Sequence, residues 1–379
     1  MKLLTSLSIL AFAAFLPVHA DDAQAVKSSS STGEPEIQAD GHVTFRLKAP
    51  QASEVTVAGQ SIPKTTMTKD DAGVWSATVG PVPAGVWEYS FYVDGVQTVD
   101  INNPAIKPQR APRVSILQIP SSPAAPWDFR PDIAHGTMHW HDYFAKSLQA
   151  RRRLHVYTPP GYERETRKYP VLYLVHGFSD NDAAWSVHGK ANLILDNLIA
   201  DKKAVPMIVV MPDGHALAPE NRARQDYGSA NNSAFEHELI EDVIPMIDST
   251  YRAQTSADYR ALAGLSMGGG HTLYTGPRHL DKFGWLGTFS AGIPNREGGP
   301  EGLLDAQAVN HALHLFWMGC GKSDSLMERN RKLHDFLTEK GIQHVWVESD
   351  GGHEWPVWRN YLVQFASLVF APEKGIAQH

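Results

Sequence analysis

Tyr259-Arg-Ala-Leu-Ala-Gly-Leu-Ser-Met-Gly-Gly-Gly270 joins a short apolar run to a set of glycines around one serine. The run from Ala261 to Ala263 leads into Gly264-Leu-Ser-Met-Gly268 and then into small, helix-compatible residues. That order predicts a buried strand that stops, turns sharply at Ser266 and passes at once into a helix. Gly264 and Gly268 suit the turn, because a β-carbon on either side would collide with its neighbours. The Ser266 hydroxyl would then stand at the carboxyl edge of a sheet, with helix N-terminal amides behind it. A glycine-rich turn with an incidental serine has the same pattern, so the rest of the chain must decide.

A serine hydroxyl is a poor nucleophile until a base takes its proton, so a catalytic elbow demands a histidine and an acid. In a strand–turn–helix setting they follow in the order Ser, acid, His, each in a loop after a strand. Asp324 ends Gly319-Cys-Gly-Lys-Ser-Asp324, just past the apolar run from Leu313 to Met318. His353 stands in Asp350-Gly-Gly-His-Glu-Trp355, just past the run from His344 to Glu348. Asp324 also falls where a helix N-cap is wanted, and the two roles are compatible. Glu348 and Asp350 are too near His353 along the chain to reach its far nitrogen.

Charge that develops on an attacked carbonyl needs backbone N–H donors. The Met267 amide, directly after Ser266, is one candidate. Val175-His-Gly-Phe178 supplies the other at the Phe178 amide, with Gly177 allowing close approach and His176 bracing the loop. Trp185 and Trp355 neighbour these loops; as substrate-binding candidates they would line an acyl pocket or stack a sugar, and core packing explains them equally. His271 reads as structural. His139-Trp-His141 lacks a third ligand at a matching strand end and reads as strand. Gly268-Gly-Gly270 lacks the lysine of a phosphate loop, and Cys320 reads as a small core residue. No metal and no cofactor are expected.

Outward from this centre, the 379 residues exceed one average domain. A net charge of −7 argues against nucleic acid or an anionic membrane surface as partner. Met1-Lys2, an apolar run from Leu3 to Pro17 and Val18-His-Ala20 read as a signal peptide over residues 1–20, implying a secreted or periplasmic protein. The run is too short for a comfortable membrane span. With Cys320 alone, no intramolecular disulfide forms.

Residues 21–37 read as a flexible tether. Alternating runs such as Val43-Thr-Phe-Arg-Leu and Trp87-Glu-Tyr-Ser-Phe-Tyr-Val, with the turn Asp94-Gly95, predict an immunoglobulin-like β-sandwich over 38–118. A proline-rich linker follows over 119–132. From 133 to 375 strands alternate with helices, predicting an α/β domain with a largely parallel, doubly wound sheet of about eight strands. Leu239 to Ile247 marks a helix that Pro245 would kink.

Tyr173-Leu-Val-His-Gly-Phe-Ser-Asp-Asn-Asp-Ala-Ala-Trp185, Met211-Pro-Asp-Gly-His215, Gly264-Leu-Ser-Met-Gly-Gly269 and Gly352-His-Glu-Trp355 together resemble carbohydrate esterase family 1, the feruloyl and acetylxylan esterases related to esterase D. The front part is similar to early-set and carbohydrate-binding module family 48 sandwiches that precede some secreted esterases. The resemblance implies an α/β-hydrolase fold, no metal, and catalytic roles for Ser266, Asp324 and His353. It also implies a small-molecule or polysaccharide ester as substrate, feruloyl before acetylxylan or an enterochelin-type siderophore. Carbohydrate contact by the front part is an expectation from the same likeness. A carbohydrate-binding protein with an inactive hydrolase domain is the reading from another class.

Overall fold

The computed structural model describes residues 33–293, 303 and 305–371. The expected signal peptide and residues 21–32 of the tether lie outside the described residues. The last part of that tether is not free: Glu36–Ile37 pairs antiparallel with Val43 and Thr44, and Arg46 bonds Glu36 at 2.9 Å.

The front unit consists of two antiparallel sheets. One joins Glu36–Ile37, Val43–Lys48, Val74–Val79 and Thr68–Lys69; the other joins Ile62–Thr66, Val55–Gly59, Gly85–Val93, Val96–Thr98 and Ser115–Ile119. Alternation sends one side of each strand inward, so Val43, Phe45 and Leu47 meet Val55, Val57, Tyr89 and Phe91 in one core. From Pro120 to Gly136 there is no helix or strand. This linker is docked rather than loose, because Asn197 donates to the carbonyls of Pro126 and Asp128.

The second unit is built on eight strands: β1 (Thr137–Ala145), β2 (Ala150–Thr158), β3 (Val171–Val175), β4 (Ile208–Pro212), β5 (Arg260–Leu265), β6 (Trp285–Phe289), β7 (Leu315–Gly321) and β8 (Val345–Ser349). Their order is β1-β2-β4-β3-β5-β6-β7-β8. β1, β2 and β4 pair antiparallel. From β4 to β8 every pairing is parallel. Successive side chains of β3 feed opposite cores: Val171, Tyr173 and Val175 one, Leu172 and Leu174 the other. Both faces are covered by helices, so the strand reads as an unbroken apolar run. Ala191–Ala200 and Trp355–Leu368 cover one face; Tyr227–Glu238, Met267–Thr275 and Met327–Glu339 cover the other.

Around Pro245, where a kink was expected, the helix changes its winding. A single wider turn, Leu239–Val243, precedes the helix Ile244–Thr250, so Pro245 falls in a first turn where its missing N–H is tolerated. Because β3 and β5 to β8 run the same way, the loops after β3, β5, β7 and β8 open at one end of the sheet. Among the described residues no helix is long and apolar enough to cross a membrane.

Candidate active site

β5 ends at Leu265, and the helix Met267–Thr275 begins two residues later. Ser266 alone makes the turn, at φ 51° and ψ −112°. Such a backbone costs an L residue about 1–3 kcal/mol, so its surroundings must hold it. They do so through three bonds: Ser266 N–H donates to Phe289 O (2.8 Å), and Ser266 O accepts from Gly292 (2.7 Å) and Gly270 (3.0 Å). A Cβ on Gly264 would stand 2.5 Å from the Gly268 backbone, and one on Gly268 2.4 Å from Val175 O. Glycine is therefore required at both places, for the reason read from the sequence.

The loops after β7 and β8 bring the other groups to this serine. His353 Nε2 lies 2.9 Å from Ser266 Oγ. His353 Nδ1 lies 2.9 and 3.1 Å from the two Asp324 oxygens. His353 is open to solvent, whereas Asp324 is buried. Burial works to raise the Asp324 pKa, but hydrogen bonds from His353, the Leu326 amide and Ser290 outweigh it and hold the carboxyl below its ordinary range. An ionised Asp324 fixes the Nδ1–H tautomer, which leaves Nε2 free to accept the serine proton. The N-cap of the following helix is Leu326, not Asp324; Asp324 instead accepts from the Leu326 amide at 2.7 Å. Glu348 and Asp350 are engaged elsewhere, with Arg331 and Lys322, each at 3.0 Å.

On the opposite side of Ser266 lies the loop after β3. A Cβ on Gly177 would stand 3.5 Å from Ser266 Cβ. Gly177 O accepts from His176 Nδ1 (2.8 Å) and from the Asp180 amide (3.1 Å). In a planar trans peptide the Phe178 N–H points opposite to that oxygen, so His176 orients it. Among the described residues neither the Phe178 nor the Met267 amide has a hydrogen-bond acceptor. Both are left for a ligand, as an oxyanion hole requires.

Trp185 and Trp355 call for a correction. Each is 1% exposed, and they meet edge to face at 5.0 Å inside the core. They cannot line an open pocket or stack a sugar. Trp185 donates to Val175 O at 3.1 Å and supports the loop after β3 from below. Trp358 is the ring that touches the imidazole of His353, edge-on at 4.9 Å.

The profile of the Esterase family matches residues 145–367. The chain belongs to the esterase family. An endo-1,4-beta-xylanase/feruloyl esterase of Xylanibacter ruminicola is 32% identical over 348 residues, covering 89% of this chain and 46% of that protein, so the chain spans about half of that relative's length. An iron(III) enterobactin esterase of Escherichia coli strain K12 is 25% identical over 274 residues, 70% of this chain and 65% of that protein. Among solved structures, a CE1 ferulic acid esterase of Anaeromyces mucronatus aligns with a TM-score of 0.56 and 27% identity, over 64% of this chain and 94% of that one. The enterochelin esterase of Shigella flexneri aligns over 90% of this chain and 96% of that one, at a TM-score of 0.62 and 20% identity, a likeness of fold that spans both units.

Within this esterase-family site, several residues escaped sequence reasoning. His215 donates from Nε2 to Phe178 O (2.8 Å) and accepts at Nδ1 from Tyr227 Oη (2.6 Å). Its place in Met211-Pro-Asp-Gly-His215, directly after β4, was the available signal. Arg110, from the front unit, lies 4.0 Å over the Phe178 ring, and no local pattern announces it. His271 is buried and stacks on Phe235 at 4.3 Å, donating to Gly214 O. His139 and His141 both pack against Tyr251 at 5.7 Å. Cys320 is buried, and burial pushes its thiol up to about 12, which makes it inert at neutral pH. Among the described residues no group of three or more His, Cys, Asp or Glu could hold a metal ion.

Proposed function

We propose that this protein is a secreted or periplasmic serine carboxylic-ester hydrolase that releases feruloyl or related hydroxycinnamoyl groups from plant cell-wall polysaccharide. Ser266 Oγ attacks the ester carbonyl while His353 Nε2 takes its proton, and Asp324 stabilises the imidazolium. The amides of Met267 and Phe178 receive the oxyanion. Collapse expels the alcohol, which takes the proton from His353 and leaves an acyl-serine. Water, deprotonated by His353, attacks that acyl group and releases the acid. The observation that carries the reading is the unbroken hydrogen-bond chain Asp324–His353–Ser266.

The acyl preference is supported by likeness: the most extensive match among the relatives described is named a xylanase/feruloyl esterase, and a solved structure of the Anaeromyces mucronatus enzyme holds ferulic acid. The apolar run Leu3 to Pro17 supports export. A siderophore trilactone esterase is the second reading, favoured by the fold likeness across both units.

The test compares turnover of methyl ferulate, an acetylated xylan and a catecholate trilactone by the parent and by Ser266→Ala. Methyl ferulate should be preferred, and Ser266→Ala should lose several orders of magnitude. A variant within tenfold of the parent rules out the mechanism; preference for the trilactone or for acetyl groups rules out the feruloyl assignment alone.

A further inference from the structure

We propose that Arg110, carried by the front unit, is a positioning residue for the oxyanion loop of the hydrolase unit. The inference rests on the reading of the Phe178 amide as an oxyanion donor. The loop after β3 has three successive carbonyls, and each receives a donor. Gly177 O is held by His176 and Asp180, and Phe178 O by His215 Nε2 at 2.8 Å. Ser179 O is held from outside the hydrolase unit, by the Arg110 amide at 3.0 Å. One residue earlier, Gln109 forms an antiparallel bridge with Asp180.

The Arg110 side chain adds a second hold. Phe178 is 47% exposed, whereas phenylalanine is a residue type most often buried. Its ring is bordered by the Arg110 guanidinium over one face at 4.0 Å, with His215 and Tyr227 at 5.6 and 5.8 Å in edge contacts. A cation over an aromatic face is attracted by the ring quadrupole, and partial burial strengthens this. Among the described residues Arg110 has no carboxylate within salt-bridge distance, so the ring is its partner. The segment that carries Arg110 is itself anchored: Lys107 Nζ bonds Glu88 at 2.7 Å and lies 3.9 Å from Asp180. The front unit thus grips both the side chain of Phe178 and the backbone at Ser179 and Asp180. Removing the Arg110 side chain leaves Ser266, His353 and Asp324 in place and keeps the backbone bond to Ser179 O, but frees the Phe178 ring and so loosens the Phe178 N–H from the oxyanion.

The test uses the full chain and two neutral esters, methyl ferulate and p-nitrophenyl acetate. Arg110→Met should lower kcat about tenfold to a hundredfold on both esters, the scale of a displaced group in the site, with KM within about threefold. Arg110→Lys, which keeps a cation over the ring, should recover most of the loss. In a Phe178→Ala background Arg110→Met should cost markedly less, since the ring is gone. Equal thermal midpoints for parent and Arg110 variants separate this from unfolding. An unchanged kcat in Arg110→Met overturns the proposal, and so does a rise in KM confined to methyl ferulate, which would make Arg110 a substrate-binding group. A loss equal to that of an unfolded chain, with a lowered midpoint that Arg110→Lys does not restore, also overturns it. A parent without ester turnover, or an active Ser266→Ala, defeats the function proposed above and this inference with it.

Discussion

His353 faces Asp324 so that one ring nitrogen, Nδ1, lies within hydrogen-bond distance of both carboxylate oxygens, at 3.1 and 2.9 Å. With its pKa held below the ordinary range, Asp324 is ionised and accepts from Nδ1–H and from the Leu326 amide together. Asp324→Asn should therefore present an amide N–H to Nδ1 and favour the tautomer with its proton on Nε2, facing Ser266. The expected result is a loss of about four orders of magnitude in kcat with little change in KM. Steady-state kinetics on methyl ferulate measure it, and a loss under tenfold would exclude Asp324 as the orienting acid.

Of the glycines around the elbow, Gly268 is the one where an added β-carbon would come closest to backbone. A β-carbon there would stand 2.4 Å from Val175 O and 2.8 Å from His176 O. Neither oxygen can move without carrying the loop of Phe178 with it. Gly268→Ala should cost about 1–3 kcal/mol of stability through overpacking and about a hundredfold or more in kcat through the displaced loop. A thermal melt and a rate on one ester suffice, and a variant with the parent's melt and rate would contradict the crowding.

The parallel strands could be read closely because burial on both faces makes them continuous apolar runs; the run Ala261 to Ala263 lies inside β5, and most of the run Leu313 to Met318 inside β7. β7 runs on to Gly321, past the expected end at Met318, because its ladder with β8 continues through Gly319, Cys320 and Gly321. The last helix begins at Trp355, directly after the histidine loop, since Pro356 in a first turn starts a helix instead of breaking it. Ser266, Asp324 and His353 were legible because each follows the end of a strand, in a fixed order. Trp185 and Trp355 were not, because adjacency to a motif does not say whether a ring faces inward or outward. Arg110 was hidden for a different reason: its partner, Phe178, lies in another unit, and only tertiary docking brings them together.

Three histidines without a catalytic role in the proposed mechanism, His188, His215 and His271, are buried, and burial pushes each imidazole down to about 3. Their folded pKa values lie below the unfolded value, so the unfolded chain takes up protons first as pH falls. The stability they contribute is complete above about 6.5 and is lost progressively between there and about 3. Each group that titrates fully adds about 1.4 kcal/mol per pH unit to the slope. Urea midpoints should stay level from pH 7.5 to about 6.5 and fall from there to pH 4, with these three rings contributing a proton uptake on unfolding that approaches three. A flat midpoint over that range would mean that these rings are protonated in the folded chain.

Arg359, in the last helix, reaches across to the front unit and donates to Val86 O at 2.7 Å, while its other terminal nitrogen donates to His188 O at 3.0 Å. Burial pushes its pKa down to about 10, with the Glu88 carboxylate working in the opposite direction, so it remains a cation at neutral pH. Arg359→Met would keep much of the side-chain volume and remove both donors and the charge. Two buried carbonyls would then be orphaned, each at about 1–3 kcal/mol, and the favourable field between the guanidinium and Glu88 would be lost. Because one of these carbonyls belongs to the front unit, the loss should fall on docking between units rather than on either core. Urea unfolding of Arg359→Met should split into two transitions, the earlier one following front-unit fluorescence from Trp75 and Trp87. If Arg110 acts as proposed, esterase turnover should fall in that first transition, before the hydrolase unit unfolds. A single transition at the parent's midpoint would show that Arg359 is not what joins the two units.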